Sequence, residues 1–375
     1  MSVPSLLLVG LVLLLIAGVA VWAVRRRRPL VSGAGAPRHA ALSRPGLATR
    51  GDTDAAVQGE GGTPAGAGDA LARELMGRFH AIAFEDAAFS QHAVVAGTAH
   101  ADVVARSVAT LSKIETQPRY TPRRPQLLPQ LMRTVNDPNA SGQAMAAIIA
   151  RDPALAGNLL RIASSALYCV QSKPVENIAH AVAMVGTDGI RHLIAAALVQ
   201  PVMGAPGGGA FGRLAGLIWD HTLMSAAAAA DHAAQVERDD AFSAQLLGLM
   251  QGLGSATVAR VARDQYARRA GLVPDASVVA ALLDGWAAPT ARRLAEKWSL
   301  PPRIRQALDD QQRGVAPDSP GRSLRFGRTA AALAMLCQHG RMEEGEALRL
   351  LASIEPRDHA TAEIWKRLRR GADQR

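Results

Sequence analysis

Histidine and carboxylate side chains are the groups in this sequence best suited to metal or acid–base chemistry, and they are poorly grouped. His221 directly follows Asp220 at the end of an apolar segment. The other histidines are scattered without ligand spacing, including His180, His192, His232 and His339. Asp309 and Asp310 are adjacent, so on a helix their carboxylates point about 100° apart, which is a poor arrangement for sharing a metal or a proton.

Nucleophile and phosphate motifs are also incomplete. None of the conspicuous serines lies in a Gly-x-Ser-x-Gly turn; these are Ser164, Ser165 and Ser225. The glycine-rich run at 204–209 has no Lys-Ser or Lys-Thr pair after it and no buried strand before it, so it is interpreted as a hinge or a disordered loop. Cys169 and Cys337 form no Cys-x-x-Cys pair, and both are predicted to be reduced packing residues.

The elements that would position any site are predicted to be helices. Asp152 before Pro153 is an N-cap and first-turn pair, and Leu159 lies on the apolar face that follows. A second apolar repeat ends at Gly186, after which Thr187 is suited to cap another helix. With 49% hydrophobic and only 4% aromatic residues, and no alternating strand pattern, the 375-residue chain is predicted to be all-α.

The order of these signals resembles the HDOD domain, a signalling relative of the HD phosphohydrolases. The residues that carry the resemblance are Pro129, Asp137, Pro138, Asp152, Pro153, Leu159, Ser165, Tyr168, Gly186, Trp219 and His221. A later block, Trp298-Ser299-Leu300-Pro301, extends it, and Ser164 departs from it because the family usually has Asn there. The resemblance implies an all-α HDOD-type bundle over 118–315, with one helical subdomain at 118–203 and a degenerate HD-like subdomain at 210–315.

The same resemblance bears on catalysis. HD phosphohydrolases hold metal with a His, an adjacent His-Asp pair and a further Asp, and His221 alone is in register with that set. Gln251 and Gly252 stand where the His-Asp pair is expected. The resemblance therefore implies a module without catalytic residues, metal or cofactor that binds other signalling proteins, whose identity is unknown. Two alternatives stay open, a metal-dependent HD-type phosphohydrolase and a nucleotide receptor that uses the degenerate pocket without hydrolysis.

The N-terminus carries a predicted membrane anchor. Residues 6–24 are uncharged and mostly aliphatic, which is about the length that crosses the hydrocarbon layer, and Arg25 to Arg28 follow at once. A cleaved signal peptide is the alternative, but no basic residue precedes the apolar run. Basic residues mark the cytoplasmic end of such a span. The prediction is a single-pass protein of a bacterial inner membrane, with a periplasmic N-terminus and the bulk of the chain in the cytoplasm.

Net charge gives no support for a nucleic-acid binder. The formal charge is +10, but residues 1–50 hold seven arginines and no acidic residue, so the remainder carries only +3. A nucleic-acid partner would require a basic face on the folded part. The basic strip fits membrane orientation and attraction to anionic headgroups instead.

The remaining segments flank the predicted domain. Residues 1–28 form the anchor with its arginines, and residues 29–68 are rich in Gly, Ala and Pro and are interpreted as a flexible linker. Residues 69–117 are predicted to be a helical lead-in that packs on the domain or pairs with a partner helix. Residues 316–375 are predicted to be C-terminal helices, with two amphipathic helices between Arg325 and Arg370. Their basic end could touch the membrane surface but is predicted to be solvated; it is composed of Trp365, Lys366, Arg367, Arg369 and Arg370.

Overall fold

A computed structural model gives the fold of the chain. It describes residues 65–84, 98–122, 124–135, 137, 141–150, 153–165, 168, 175, 177–203, 209–313, 318–355 and 359–373. All of them lie in the unit formed by residues 61–375.

Thirteen α-helices and no strand occur among these residues, which confirms the all-α prediction. They are α1 (Ala65–Ala81), α2 (Thr98–Leu111), α3 (Leu128–Val135), α4 (Gly142–Ile149), α5 (Pro153–Ala163), α6 (Ile178–Met203), α7 (Gly209–His232), α8 (Ala241–Tyr266), α9 (Ala276–Lys297), α10 (Pro302–Arg313), α11 (Ser319–Gln338), α12 (Glu344–Ala352) and α13 (His359–Asp373). Short 3-10 turns follow α1 and α2, and a π turn follows α7.

Helices α5 and α6 follow the predicted punctuation. Helix α5 begins at Pro153, the first-turn position expected from sequence, and Leu159 on its inner face is fully buried. Gly186 has a φ of 70°, a left-handed conformation that breaks α6 into two helical segments. A side chain at this position would be strained, so the predicted helix end is present as a kink.

Helices α7, α8, α9 and α11 form the central bundle, because α8 packs on both α7 and α9, and α7 also packs on α11. Their facing surfaces consist largely of small residues, including the buried alanines at 226–230. At Gly327 of α11, a Cβ atom would lie 2.4 Å from the carbonyl oxygen of Ser225 on α7. The absence of a side chain there allows the two backbones to approach closely, and this explains part of the high alanine and glycine content.

The lead-in packs on this bundle. Helix α1 contacts α9 and α11, and α2 contacts α8 and α9. Leu75 and Phe79 of α1 are almost completely buried. Helix α1 begins at Ala65, inside the stretch predicted as linker to residue 68, because alanine supports a helical turn that the following apolar stripe stabilises. Of the two interpretations of the lead-in, packing on the domain is the one observed.

The C-terminal segment differs from the prediction in two respects. Three helices, not two, follow residue 316, and the first of them, α11, is buried on most of its surface as part of the central bundle. Part of the basic end is also docked on the fold, whereas Lys366 and Arg370 are exposed as predicted. The indole N–H of Trp365 donates to Glu344 at 2.9 Å, and Arg367 pairs with Asp231 at 2.8 Å. Helix α13 docks because Trp365 shares an apolar face with Ile364 and Leu368, all three of which are buried.

In the part of the chain that the structure describes, no helix has both the length and the apolar character of a membrane span. The predicted span at residues 6–24 lies outside the described residues.

Candidate functional site

The position expected for an HD-type centre is a small closed pocket between α1, α7, α8 and α11. Its volume is about 10 Å³, which is close to the space that one water molecule requires. It is lined by Met76, Phe79 and His80 of α1, Ile218, His221, Thr222 and Ser225 of α7, Gly248, Gln251, Gly252 and Ser255 of α8, and Arg328 of α11. A helix from outside the predicted domain thus forms one wall of the pocket.

His221 is held in place by a hydrogen bond and by a ring contact. Its Nε2 lies 3.0 Å from the carbonyl oxygen of Arg328, so Nε2 carries the proton and donates. The ring of Phe79 lies against it, with 4.9 Å between ring centroids. Only 7% of the side chain is exposed. These contacts are those of a structural histidine, because its Nε2 already donates a hydrogen bond to the backbone of Arg328.

Burial keeps both histidines of the pocket neutral. Burial, together with the smaller effects of the neighbouring His221 and Arg328, lowers the pKa of His80 to about 3. Burial also lowers the pKa of His221 to about 4, against the opposing effect of its hydrogen bond to the Arg328 carbonyl. Burial lowers the pKa of Arg328 as well, but a guanidinium group stays protonated in proteins. Arg328 is therefore the charged group among the residues that line the pocket. The carboxylate of Asp284, outside the lining, opposes part of the lowering of its pKa.

The donors in the pocket do not fit the divalent metal that the HD relationship implies. Catalytic metal sites need several fixed nitrogen, sulfur or oxygen ligands and an open position. Here His80 and His221 are the only imidazoles, and no carboxylate lines the pocket. The guanidinium of Arg328 would repel a cation placed beside it. Among the described residues, no group of three or more His, Cys, Asp or Glu side chains is arranged to hold a metal ion.

Gln251 and Gly252 show what replaces the ligand pair. A Cβ atom at Gly252 would lie 2.1 Å from the hydroxyl oxygen of Thr222, so the space needed by a carboxylate is filled by that side chain. The Thr222 hydroxyl donates to the Ile218 carbonyl at 2.6 Å. The buried Oε1 of Gln251 and Oγ of Ser225 have no protein partner. Both residues line the same small pocket.

The other motif positions lie away from the pocket. Pro129 is in α3, Asp137 is exposed after it, and Trp219 is half-buried on α7. The Ser165 hydroxyl donates to the Ile162 carbonyl at 2.7 Å. The Arg367 guanidinium lies 5.5 Å from the centre of the Tyr168 ring, and burial raises the pKa of Tyr168 to about 12. Pro138 and Asp152 lie outside the described residues. Of the sequence-predicted positions, the pocket brings together His221, Gln251 and Gly252.

Several residues of the pocket were not predicted from the sequence, among them Phe79, His80 and Arg328. Phe79 belongs to the apolar stripe of α1, and His80 follows it directly. The burial of His80 could therefore have been predicted from this stripe. Arg328 had no such sequence signal, because it is a charged residue in a helix whose neighbours Phe326 and Gly327 are buried by α7.

The fold and the pocket together define a class of protein: an all-α bundle with a small pocket lined by two histidines, one arginine and no carboxylate. The family model for the HDOD domain matches residues 121–313, more than half of the chain. The chain belongs to the HDOD domain family.

Solved structures of similar fold include three bacterial proteins. A proposed metal-dependent phosphohydrolase from Shewanella amazonensis SB2B is 16% identical, covers 73% of this chain and 99% of its own, and has a TM-score of 0.49. An HDOD domain protein of unknown function from Geobacter sulfurreducens is 16% identical, covers 70% and 93%, and has a TM-score of 0.47. A proposed signal transduction protein from Marinobacter aquaeolei VT8 is 17% identical, covers 81% and 66%, and has a TM-score of 0.42. No curated protein matches the chain.

Proposed function

We propose that this protein is a signalling HDOD module that acts by binding other proteins and has no hydrolytic activity of its own. The observation that carries the proposal is the composition of the HD-like pocket. It has two buried neutral histidines, one arginine, no carboxylate and the volume of about one water. Metal-hydroxide chemistry needs a ligand set that this pocket does not contain.

The two alternatives have less support from the same geometry. A metal-dependent phosphohydrolase would need ligands in place of Gln251 and Gly252, where Thr222 fills the space. A nucleotide receptor at this pocket would need a volume on the order of several hundred Å³. The pocket, whose lining includes Phe79 and His80 of α1, has a volume of about 10 Å³. Protein–protein recognition is the function that requires neither a metal nor an open pocket here.

The choice of partner class also rests on charge. Outside residues 1–50 the chain carries a net +3, and many arginines on the fold are paired with acids, such as Arg322 with Glu237 and Arg119 with Asp264. Paired arginines do not offer the continuous basic face that phosphate backbones require. We therefore propose protein partners and no nucleic acid.

We propose further that residues 6–24 anchor the protein in a bacterial inner membrane, with the HDOD domain in the cytoplasm. The support is the uncharged apolar run and the four arginines directly behind it. Residues 29–64 would then connect the anchor to α1. The arrangement confines the domain to the membrane surface, where membrane-bound signalling partners are concentrated.

The anchor predicts a simple fractionation result. The full-length chain should remain in the membrane pellet after a carbonate wash, because an apolar helix that spans the bilayer is not released by breaking ionic contacts. A variant in which Arg25 to Arg28 are replaced by Gln is the matched control for electrostatic attachment and should pellet equally. Release of the wild-type chain by the wash, or a mature N-terminus near Arg25, would contradict the anchor.

The experiment that tests the absence of catalysis compares the full-length chain with His221→Gln. Gln retains a side-chain N–H donor for the Arg328 carbonyl but removes the only histidine in register with an HD ligand. Metal content and phosphodiester hydrolysis are measured for both proteins, and we expect no metal-dependent turnover in either.

A further inference from the structure

A second cavity of the domain lies between α3 and the junction of α9 with α10. Its volume is about 620 Å³, within the range of small-molecule sites. Pro129 from the first subdomain and Ser299 to Pro301 from the second line it together. Two blocks that carry the family resemblance therefore meet at one cleft, far along the chain from each other, and the HD-like pocket uses neither of them.

Three arginines give this cleft a strong positive charge. Arg124, Arg133 and Arg305 all line it, and no ion pair to any of them occurs among the described residues. The buried Nε atoms of Arg124 and Arg305 have no hydrogen-bond partner. The acidic residue of the lining, Glu296, is already paired with Arg292. Guanidinium groups with unused donors in a cleft are suited to bidentate contacts with an anion.

The backbone around the cleft is held by hydrogen bonds and adds to the same charge. Ser299 has a φ of 54°, and the Leu300 amide donates to the Ala295 carbonyl at 2.9 Å, which closes the end of α9. The indole N–H of Trp298 donates to the Pro122 carbonyl at 3.2 Å and ties the segment before α3 to this turn. Helix α10 begins at Pro302 on the wall of the cleft, and the N-terminus of a helix carries partial positive charge.

We propose that this cleft binds a small soluble compound that carries a diphosphate group. Three guanidinium groups match the charge of a diphosphate, which offers enough oxygens for bidentate contacts to more than one of them. The volume accommodates a diphosphate with an attached organic group. Because the walls come from both subdomains, the ligand would bridge them and fix their relative position. The site is separate from the HD-like pocket, so this inference does not depend on whether that pocket is catalytic.

Calorimetric titration of the full-length chain with inorganic pyrophosphate tests the site. The protein is kept in a maltoside detergent, which contains no phosphate. We expect binding of one pyrophosphate per chain. Arg305→Gln and Arg124→Gln should each weaken it by about 10- to 100-fold, because each removes charge-assisted hydrogen bonds. Arg305→Lys keeps the charge but loses the planar fork, so it should also weaken binding.

The matched control is Arg268→Gln. Arg268 is exposed on the turn after α8, does not line the cleft and makes no ion pair among the described residues. The Arg268→Gln substitution removes the same net charge and should change the affinity for pyrophosphate by less than about twofold, as expected for an exposed charge outside the site. If Arg305→Gln does not fold, Arg133→Gln gives the same test at an exposed position. Absence of binding at millimolar pyrophosphate, or equal loss in Arg268→Gln and the cleft variants, would overturn the proposal.

Discussion

Phe79→Ala should lower the free energy of unfolding by about 3 to 5 kcal/mol, the usual cost of truncating a fully buried phenylalanine. Phe79 is completely buried, and its ring packs against His221 across the HD-like pocket. The substitution would leave a cavity at the point where α1 meets the central bundle. Urea denaturation of the full-length protein, followed by circular dichroism, measures the change.

Glu74→Ala is the control for this substitution. Glu74 lies on the exposed side of the same helix, so its loss should change stability by no more than about 0.5 kcal/mol. If Phe79→Ala unfolds at the same urea concentration as the wild type, α1 does not pack on the bundle as described, and the closed pocket would not exist in solution. A separate early transition for α1 would contradict the account in the same way.

Acidification from pH 7 to pH 5 should lower the free energy of unfolding by about 2 kcal/mol for each of the two pocket histidines. The folded-state pKa values are about 3 for His80 and about 4 for His221, below the ordinary value of 6.5 because burial disfavours the charged form. The unfolded chain therefore takes up protons first as the pH falls. The contribution of the two neutral histidines to the free energy of unfolding is fully present above pH 6.5 and is lost progressively as the pH falls toward 3.

The double variant His80→Gln, His221→Gln isolates this effect. It should have a much flatter stability profile between pH 7 and pH 5, whatever its absolute stability, because no group of the pocket then titrates in that range. The acidic groups with lowered pKa values, such as Asp239 at about 2, lose their contribution only at lower pH. A wild-type profile as flat as that of the double variant would contradict the burial of the two histidines.

Local signals in the sequence predicted the local structure well. The Asp152-Pro153 pair placed the start of α5, and Gly186 marked the break in α6, because helix ends are fixed by residues within one turn. The family resemblance likewise identified His221, Gln251 and Gly252, and the structure brings these three residues to one pocket. The helix ends depend on short stretches of sequence, and the three pocket residues were identified by their alignment with the motifs of a known family.

Long-range contacts could not be predicted in this way. The Phe79 contact with His221 joins α1 to α7, and nothing in either segment names the other as its partner. The basic end of the chain was interpreted as solvated because its acidic partners, Asp231 and Glu344, lie in other helices. The cleft with three arginines was missed for the same reason, since Arg124 and Arg305 are brought together only by the packing of the two subdomains.

The measurement that tests the proposed function most directly combines metal analysis with a hydrolysis assay. The full-length chain is purified after growth with added iron and manganese, and metal is quantified per chain by mass spectrometry. The same samples are assayed against cyclic dinucleotides, nucleoside phosphates and a generic phosphodiester, alongside His221→Gln. We predict metal far below one equivalent and no turnover above the buffer control in either protein, because the pocket lacks carboxylate ligands and contains Arg328. Near-stoichiometric metal together with turnover that is lost in His221→Gln would contradict the proposal and identify the protein as an HD-type hydrolase.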